Sequence, residues 1–255
     1  IVTTLKNANG STTIGESYTA TVSGPGLLGS AANTGTTISG SATGRALTVK
    51  AGDVVKVFPD GSSGVSTVTI SSAAGVVLGT KSLTFYGDAA TATATVVKSI
   101  IAASNNQSAI LVNLKDAAGT AVTKATTFYV TSSDTTKIAG AYTSTGSITY
   151  STTNGTLGAG FLIPLTGVAA GTANITVGTK SSATATTGVD AAAVSIRVGS
   201  AVPASVSVTT DKTTYGPGEK ATITVVVKDS TGLALADGTY TNIFATGGIV
   251  ANYTL

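Results

Sequence analysis

The chain has 255 residues, only 10% of them charged, and contains no histidine, cysteine, methionine or tryptophan. Soluble domains ordinarily carry roughly 25% charged residues, so polarity here comes instead from threonine and serine, which fill close to a third of the positions. The missing His and Cys exclude zinc, haem, iron–sulfur and copper sites of ordinary ligation, all Cys-His or Ser-His-Asp catalysis, and disulfides.

The net charge of +3 arises from 14 basic and 11 acidic residues. They are spread thinly, with no Lys/Arg cluster that would neutralise adjacent phosphates, so nucleic acid is not an expected partner. No apolar run has the length of a membrane span, and none is expected. The first residues, from Ile1, lack the basic, apolar, small-residue order of a signal peptide, as in a processed or trimmed chain. The length predicts two or three domains.

β-branched residues and glycine dominate while strong helix formers are sparse, so strands are the default element. The first alternating run is Tyr18-Thr19-Ala20-Thr21-Val22, closed by the turn Gly24-Pro25-Gly26. A long small-residue stretch at 30–43 follows, then the turn Asp60-Gly61 and a second run, Ser66-Thr67-Val68-Thr69-Ile70. A strand is predicted next at 82–87, and the Ala/Thr alternation around 89–94 reads, despite the helix propensity of alanine, as a small-residue strand or an extended connection. The run 110–114 is strongly alternating, and Asn154-Gly155 marks a turn before the strand 173–177. The alanine-rich 181–193 segment reads as a small-residue strand or an extended connection, with room for one short helical turn at 190–193. The last elements are Val194-Ser195-Ile196-Arg197-Val198, a break at Val202-Pro203, the turn Gly216-Pro217-Gly218, a strand at 222–227 and the turn Asp237-Gly238. On the outer faces threonine keeps a χ1 suited to a pleated strand and offers its hydroxyl to water.

Two segments repeat in a constant register: Lys115-Asp116-Ala117-Ala118-Gly119 matches Lys228-Asp229-Ser230-Thr231-Gly232, and Ile110, Val112 and Leu114 match Ile223, Val225 and Val227. In each, an alternating core strand runs into a turn where Asp accepts backbone N–H groups and Gly reverses the chain. A looser match relates 15–22 to 218–225. The repeats predict units at 1–97, 98–202 and 203–255. The first two have the size of a seven-stranded sandwich, while the third has room for about half of one. Its apolar face then needs a cover, from missing sequence, unordered residues or a neighbouring chain.

The stretch from Tyr215-Gly216-Pro217-Gly218-Glu219 through Val225-Val226-Val227-Lys228-Asp229-Ser230-Thr231-Gly232 resembles the early strands and first hairpin of bacterial immunoglobulin-like surface-protein domains. Gly171-Thr172-Ala173-Asn174-Ile175-Thr176-Val177 and Gly64-Val65-Ser66-Thr67-Val68-Thr69-Ile70 resemble the glycine-led late strand of such domains. The first unit departs from the pattern at Ser23-Gly24-Pro25-Gly26-Leu27-Leu28. The resemblance implies an all-β chain of tandem immunoglobulin-like β-sandwiches, and the low charge and abundant Thr, Gly and Ala are most similar to surface-layer proteins.

The candidate sites are few. The 11 acids show no pair placed for sugar hydrolysis, and Asp116 and Asp229 read as turn caps. Asp211, Glu219 and Asp237 are candidate ligands for a structural calcium, since calcium takes carboxylate and carbonyl oxygens. Gly24-Pro25-Gly26-Leu27-Leu28-Gly29 lacks the ending of a phosphate loop; Leu27 and Leu28, if exposed, are a candidate self-contact. Asn9, Asn106, Asn154 and Asn252 open Asn-x-Ser/Thr triplets and are candidate glycosylation points, with Asn174 disfavoured by its place in a strand. No Lys, amide and acid trio is identifiable for an isopeptide crosslink, and the aromatics are too scattered for a sugar platform.

The expected function is a non-enzymatic extracellular structural protein of the bacterial cell surface, without a required cofactor. Its partners are copies of itself in a lattice or filament, together with a cell-envelope component. The alternatives are an adhesin stalk or ligand-binding module whose loops, such as 30–43, recognise a glycan or protein, and a non-catalytic fragment of an exported hydrolase.

Overall fold

The computed structural model describes residues 1, 6–12, 16–31, 44–50, 53–104 and 107–237. Among them the chain is all-β, with sixteen strands and a single 3-10 turn at Gly155–Leu157. It divides into two compact units, one of residues 1–90 with 115–122 and one of 91–114 with the remainder. This division does not follow the expected limits of 1–97, 98–202 and 203–255. The Ala/Thr segment after Ala90 is a strand of the second unit.

In the first unit β1 (Ser17–Ser23), β3 (Ala46–Lys50), β5 (Gly64–Ser72) and β6 (Val77–Phe85) form an antiparallel sheet in the order β3-β1-β5-β6. The strands β2 (Leu27–Ala31) and β4 (Val54–Phe58) pair separately. Alternation decides what is buried: Tyr18, Ala20 and Val22 of β1 point inward and face Val49, Leu47, Ile70 and Val68 across the ladders. Leu28 and Val55, from the separate pair, complete the same core. The Gly24 turn is fixed by sterics, because its φ is +80° and a Cβ there would strike the Val65 carbonyl oxygen. At the sheet edge the β6 segment 77–82 is exposed throughout.

The second unit holds β7 (Thr91–Val96), β8 (Ile100–Ala102), β9 (Gln107–Lys115), β10 (Thr126–Ser132), β11 (Ala141–Ile148), β12 (Phe161–Leu165), β13 (Gly171–Gly178) and β14 (Val194–Gly199). They form a five-stranded sheet, β11-β10-β13-β14-β8, and a three-stranded one, β12-β9-β7. All pairs with a described register are antiparallel except β14 with β8, which is parallel. Ile110, Val112 and Leu114 of β9, Ile163 of β12, Phe128 of β10 and Ile175 of β13 are all at most 2% exposed. Phe128 and Phe161 link the two sheets with ring centroids 5.0 Å apart, and Tyr150 meets Phe161 edge-on at 5.2 Å. The helical turn expected at 190–193 is absent: Asp190 forms a β-bridge with Gly178, Ala191 N–H donates to the Val177 carbonyl, and the backbone is thereby held extended.

The strands β15 (Ser205–Thr210) and β16 (Ile223–Lys228) form an antiparallel pair of their own. Val206 opposite Val227, and Val208 opposite Val225, place an apolar row on one face. Ile223 is 51% exposed there, whereas Ile110, its equivalent in the earlier repeat, is 0% exposed. Along this row Val206, Val208, Ile223 and Val225 are exposed and Val227 is partly buried.

Candidate functional site

The repeated feature of the chain is the turn that follows β9 and β16. After β9, Asp116 Oδ1 accepts from the N–H groups of Ala118 (3.0 Å) and Thr120 (2.7 Å), and Asp116 N–H donates to the Thr120 carbonyl at 2.9 Å. After β16, Asp229 Oδ1 accepts from Thr231 N–H (2.9 Å) and Leu233 N–H (3.1 Å), and Asp229 N–H donates to the Leu233 carbonyl at 2.8 Å. The bridge from Lys115 to Ala121 likewise has its counterpart in the bridge from Lys228 to Ala234. Gly119 and Gly232 reverse the chain at φ +82° and +79°. Asp116 and Asp229 are therefore the turn caps the sequence predicts, and both are buried.

Hydrogen bonding sets the charge state of these acids. The Gly87 N–H first, with Thr120 N–H, the Ser63 hydroxyl and Ala118 N–H, holds Asp116 below its ordinary value. The Thr231 hydroxyl, with the N–H groups of Leu233 and Thr231 and the charge of Arg197, does the same for Asp229. Asp134 is lowered chiefly by the Thr136 hydroxyl, and Asp60 is lowered to about 2 by the Ser62 hydroxyl and the Gly26 N–H. These acids are ionised braces of loops, the opposite of a general acid, which needs a raised value.

The calcium candidates are engaged within the polypeptide. Asp211 accepts from the Tyr215 hydroxyl at 2.6 Å and from Thr222 N–H at 2.8 Å. Glu219 pairs with Lys212 and accepts from Gly216 N–H at 2.9 Å. Both are held below their ordinary values, by the Tyr215 hydroxyl and the Lys212 ammonium respectively. Asp237 lies beside β8, where Ile100 N–H approaches its Oδ2 at 3.4 Å. The three are not brought together, and among the described residues no group of three or more acids is placed to hold a metal ion.

Leu28 is not an exposed self-contact. It is 0% exposed in the first core because β2 alternation turns it inward, while Leu27 is half-buried. Of the glycosylation candidates, Asn9 is exposed in a turn. Asn154 Nδ2, the atom a glycan would occupy, donates to the carbonyls of Gly158 (3.0 Å) and Gly160 (3.4 Å). Asn174, disfavoured from sequence, is exposed on the outer side of β13. Asn106, Asn252 and the 32–43 part of the candidate recognition loop lie outside the described residues.

One feature had no sequence signal. A cavity of about 160 Å³ lies among β10, β11 and β12, lined by Val130, Thr143, Thr145, Pro164, Leu165 and Thr166 among others. The β10–β11 ladder slips register twice beside it, and Tyr142 has a φ of 55°, unusual for a residue with a side chain. Its lining carries hydroxyls and aliphatic carbons but no charged group, so it offers no acid, base or metal ligand of its own. A bulge is set by how two strands pair, which the alternation within either strand does not encode.

No protein-family model matches the chain, and comparison with curated proteins gives no match either.

Proposed function

We propose that this chain is a non-enzymatic structural protein of a bacterial cell surface, built from tandem immunoglobulin-like β-sandwich repeats that associate with copies of themselves. The observation that carries this reading is the recurrence of a strand and its Asp-capped turn, hydrogen bond for hydrogen bond, at 115–121 and again at 228–234. A module copied in tandem, with its acids used as braces, fits a spacer or scaffold. The pairing of β7, β9 and β12 in one sheet, opposite β8, β14, β13, β10 and β11 in the other, is compatible with an immunoglobulin-like strand arrangement.

Two further features support self-association. The β6 edge is exposed, with Val77 and Leu78 at 60% and 49%, and the β15–β16 pair offers an apolar row. Threonine-rich outer faces keep the rest hydrated without charge. No helix among the described residues is long and apolar enough to cross a membrane.

The test is electron microscopy and sedimentation of the purified chain across a range of concentrations. Ordered sheets, tubes or filaments support the scaffold. Discrete monomers that bind a glycan or protein saturably would replace it with the adhesin reading.

A further inference from the structure

The turn after β16 does more than reverse the chain. Its outgoing arm, 234–237, meets the end of β14 and the start of β8. Arg197 of β14 donates from its guanidinium to the Ala234 carbonyl. Ala236 N–H donates to the Ser200 carbonyl at 3.0 Å, just past the end of β14. Asp237 N–H donates to the Ile100 carbonyl at 2.8 Å, and Ile100 N–H approaches Asp237 Oδ2 at 3.4 Å, so Asp237 and Ile100 are joined in both directions. Leu235 and Ala236 are only 7% and 3% exposed, and Arg197 also attracts the Asp229 carboxylate that organises the turn.

This burial contrasts with the β15–β16 pair it belongs to, which is otherwise exposed along most of both strands. The pair's apolar row is exposed, whereas Asp229, Leu235 and Ala236, which follow it, are buried. The covered part is the anchored part.

The first unit contains a second example. There the turn 115–122 packs among residues 1–90. Gly87, two residues beyond β6, donates its N–H to Asp116 Oδ2 at 2.9 Å, and Val122 is 7% exposed, as is Leu235, its equivalent in the later repeat. Gly87 and Ser200 correspond in the same register that relates Asp116 to Asp229. In both cases the backbone just beyond the last strand of the preceding segment holds the turn region, through the Asp116 cap in the first and through Ala236 of the outgoing arm in the second.

We infer that the end of β14, together with Arg197, Ser200 and Ile100, is a docking surface that receives the Asp-capped turn of the following repeat of the same chain. Its partner is defined chemically: a turn whose carboxylate is satisfied internally and faces a guanidinium, followed by an extended arm that presents an aliphatic side chain and two backbone N–H groups. Arg197 is the positioning residue, since it reaches both the arm and the field of the turn carboxylate. The docked turn fixes 203–237 on 91–202 through the arm, so the link 200–204 does not act as a free hinge. These contacts hold the turn whether or not the chain forms a surface layer.

Amide hydrogen exchange and ¹⁵N relaxation on the full 255-residue chain test the docking. In the unsubstituted protein the amides of Ala236 and Asp237 should be protected on the order of 100-fold, and the amides of β15 and β16 should tumble with those of β13. Arg197→Ala should reduce protection at both positions by about tenfold and give β15 and β16 faster independent motion, leaving Val112 and Ile175 protected. Ala236→Pro, which removes one donor without touching β14, should act in the same direction, and it serves as the readout if Arg197→Ala unfolds the second unit. The inference is overturned if Ala236 and Asp237 exchange freely in the unsubstituted protein, if Ala236→Pro leaves tumbling and Asp237 protection unchanged, or if both variants lose core protection together.

Discussion

At the scale of single residues, this protein relies on glycines that nothing else can replace and on carboxylates enclosed by donors. Gly24 is the sharpest case: a left-handed φ and a carbonyl in the path of any Cβ mean that Gly24→Ala should cost the first unit about 2 kcal/mol or more, read by denaturant unfolding. Gly61, also at positive φ, has open space around it, so Gly61→Ala meets only the backbone penalty and should cost less. The loop acid Asp60 predicts a pH response. Its folded value of about 2 lies below the ordinary 3.8, so its contribution is complete above the unfolded value and disappears as pH falls from about 3.8 through 2. An acid titration of the first unit followed by tyrosine fluorescence should therefore steepen in that window, and Asp60→Asn should flatten it. A response unchanged by the substitution would rule out this role for Asp60.

At the scale of elements, one sequence pattern has two fates. Ile110 and Ile223 occupy equivalent places on β9 and β16, yet one is 0% and the other 51% exposed. Packing, not pattern, sets what each contributes. Ile110→Ala should destabilise the second unit by about 2–5 kcal/mol, while Ile223→Ala should stay within about 0.5 kcal/mol. Both are measurable by thermal and chemical denaturation of the full chain. Similar losses at the two positions would mean that the β16 face is covered in solution. The turns behave differently from the strands: Asp116 and Asp229 are alike in capping and burial, because an Asp-x-x-Gly turn satisfies most of its hydrogen bonds within itself.

At the scale of the whole molecule, low charge shapes how the protein answers its solvent. Ion pairs among the described residues join Arg45 with Asp60, Lys180 with Asp190 and Lys212 with Glu219, all with partly exposed side chains. Such pairs are weak and readily screened. Raising sodium chloride from about 0.05 to 1 M should therefore shift the melting temperature by no more than about 2 °C, as followed by calorimetry. A larger fall would reveal an electrostatic component that these pairs do not account for. The self-association proposed above, if it runs through the exposed β6 edge and the β15–β16 face, is apolar and backbone-mediated and should persist or strengthen at high salt.

The residue pattern alone determined the strand character of the chain, because alternation of Val, Ile and Thr with period two leaves one face to bury whatever the topology. It also determined the paired turns, since an Asp cap and a reversing Gly act over a few neighbouring residues. Asp116 and Asp229 were legible for that reason. What only the tertiary structure decided was non-local: that Leu28 faces a core, that Thr91–Val96 pairs with β9 in the second unit, that 190–193 is held extended by Gly178, and that Asp237 meets Ile100. Each of these depends on which distant backbone arrives alongside, and a hydrogen bond or a buried contact to a residue far along the chain leaves no mark in the local alternation.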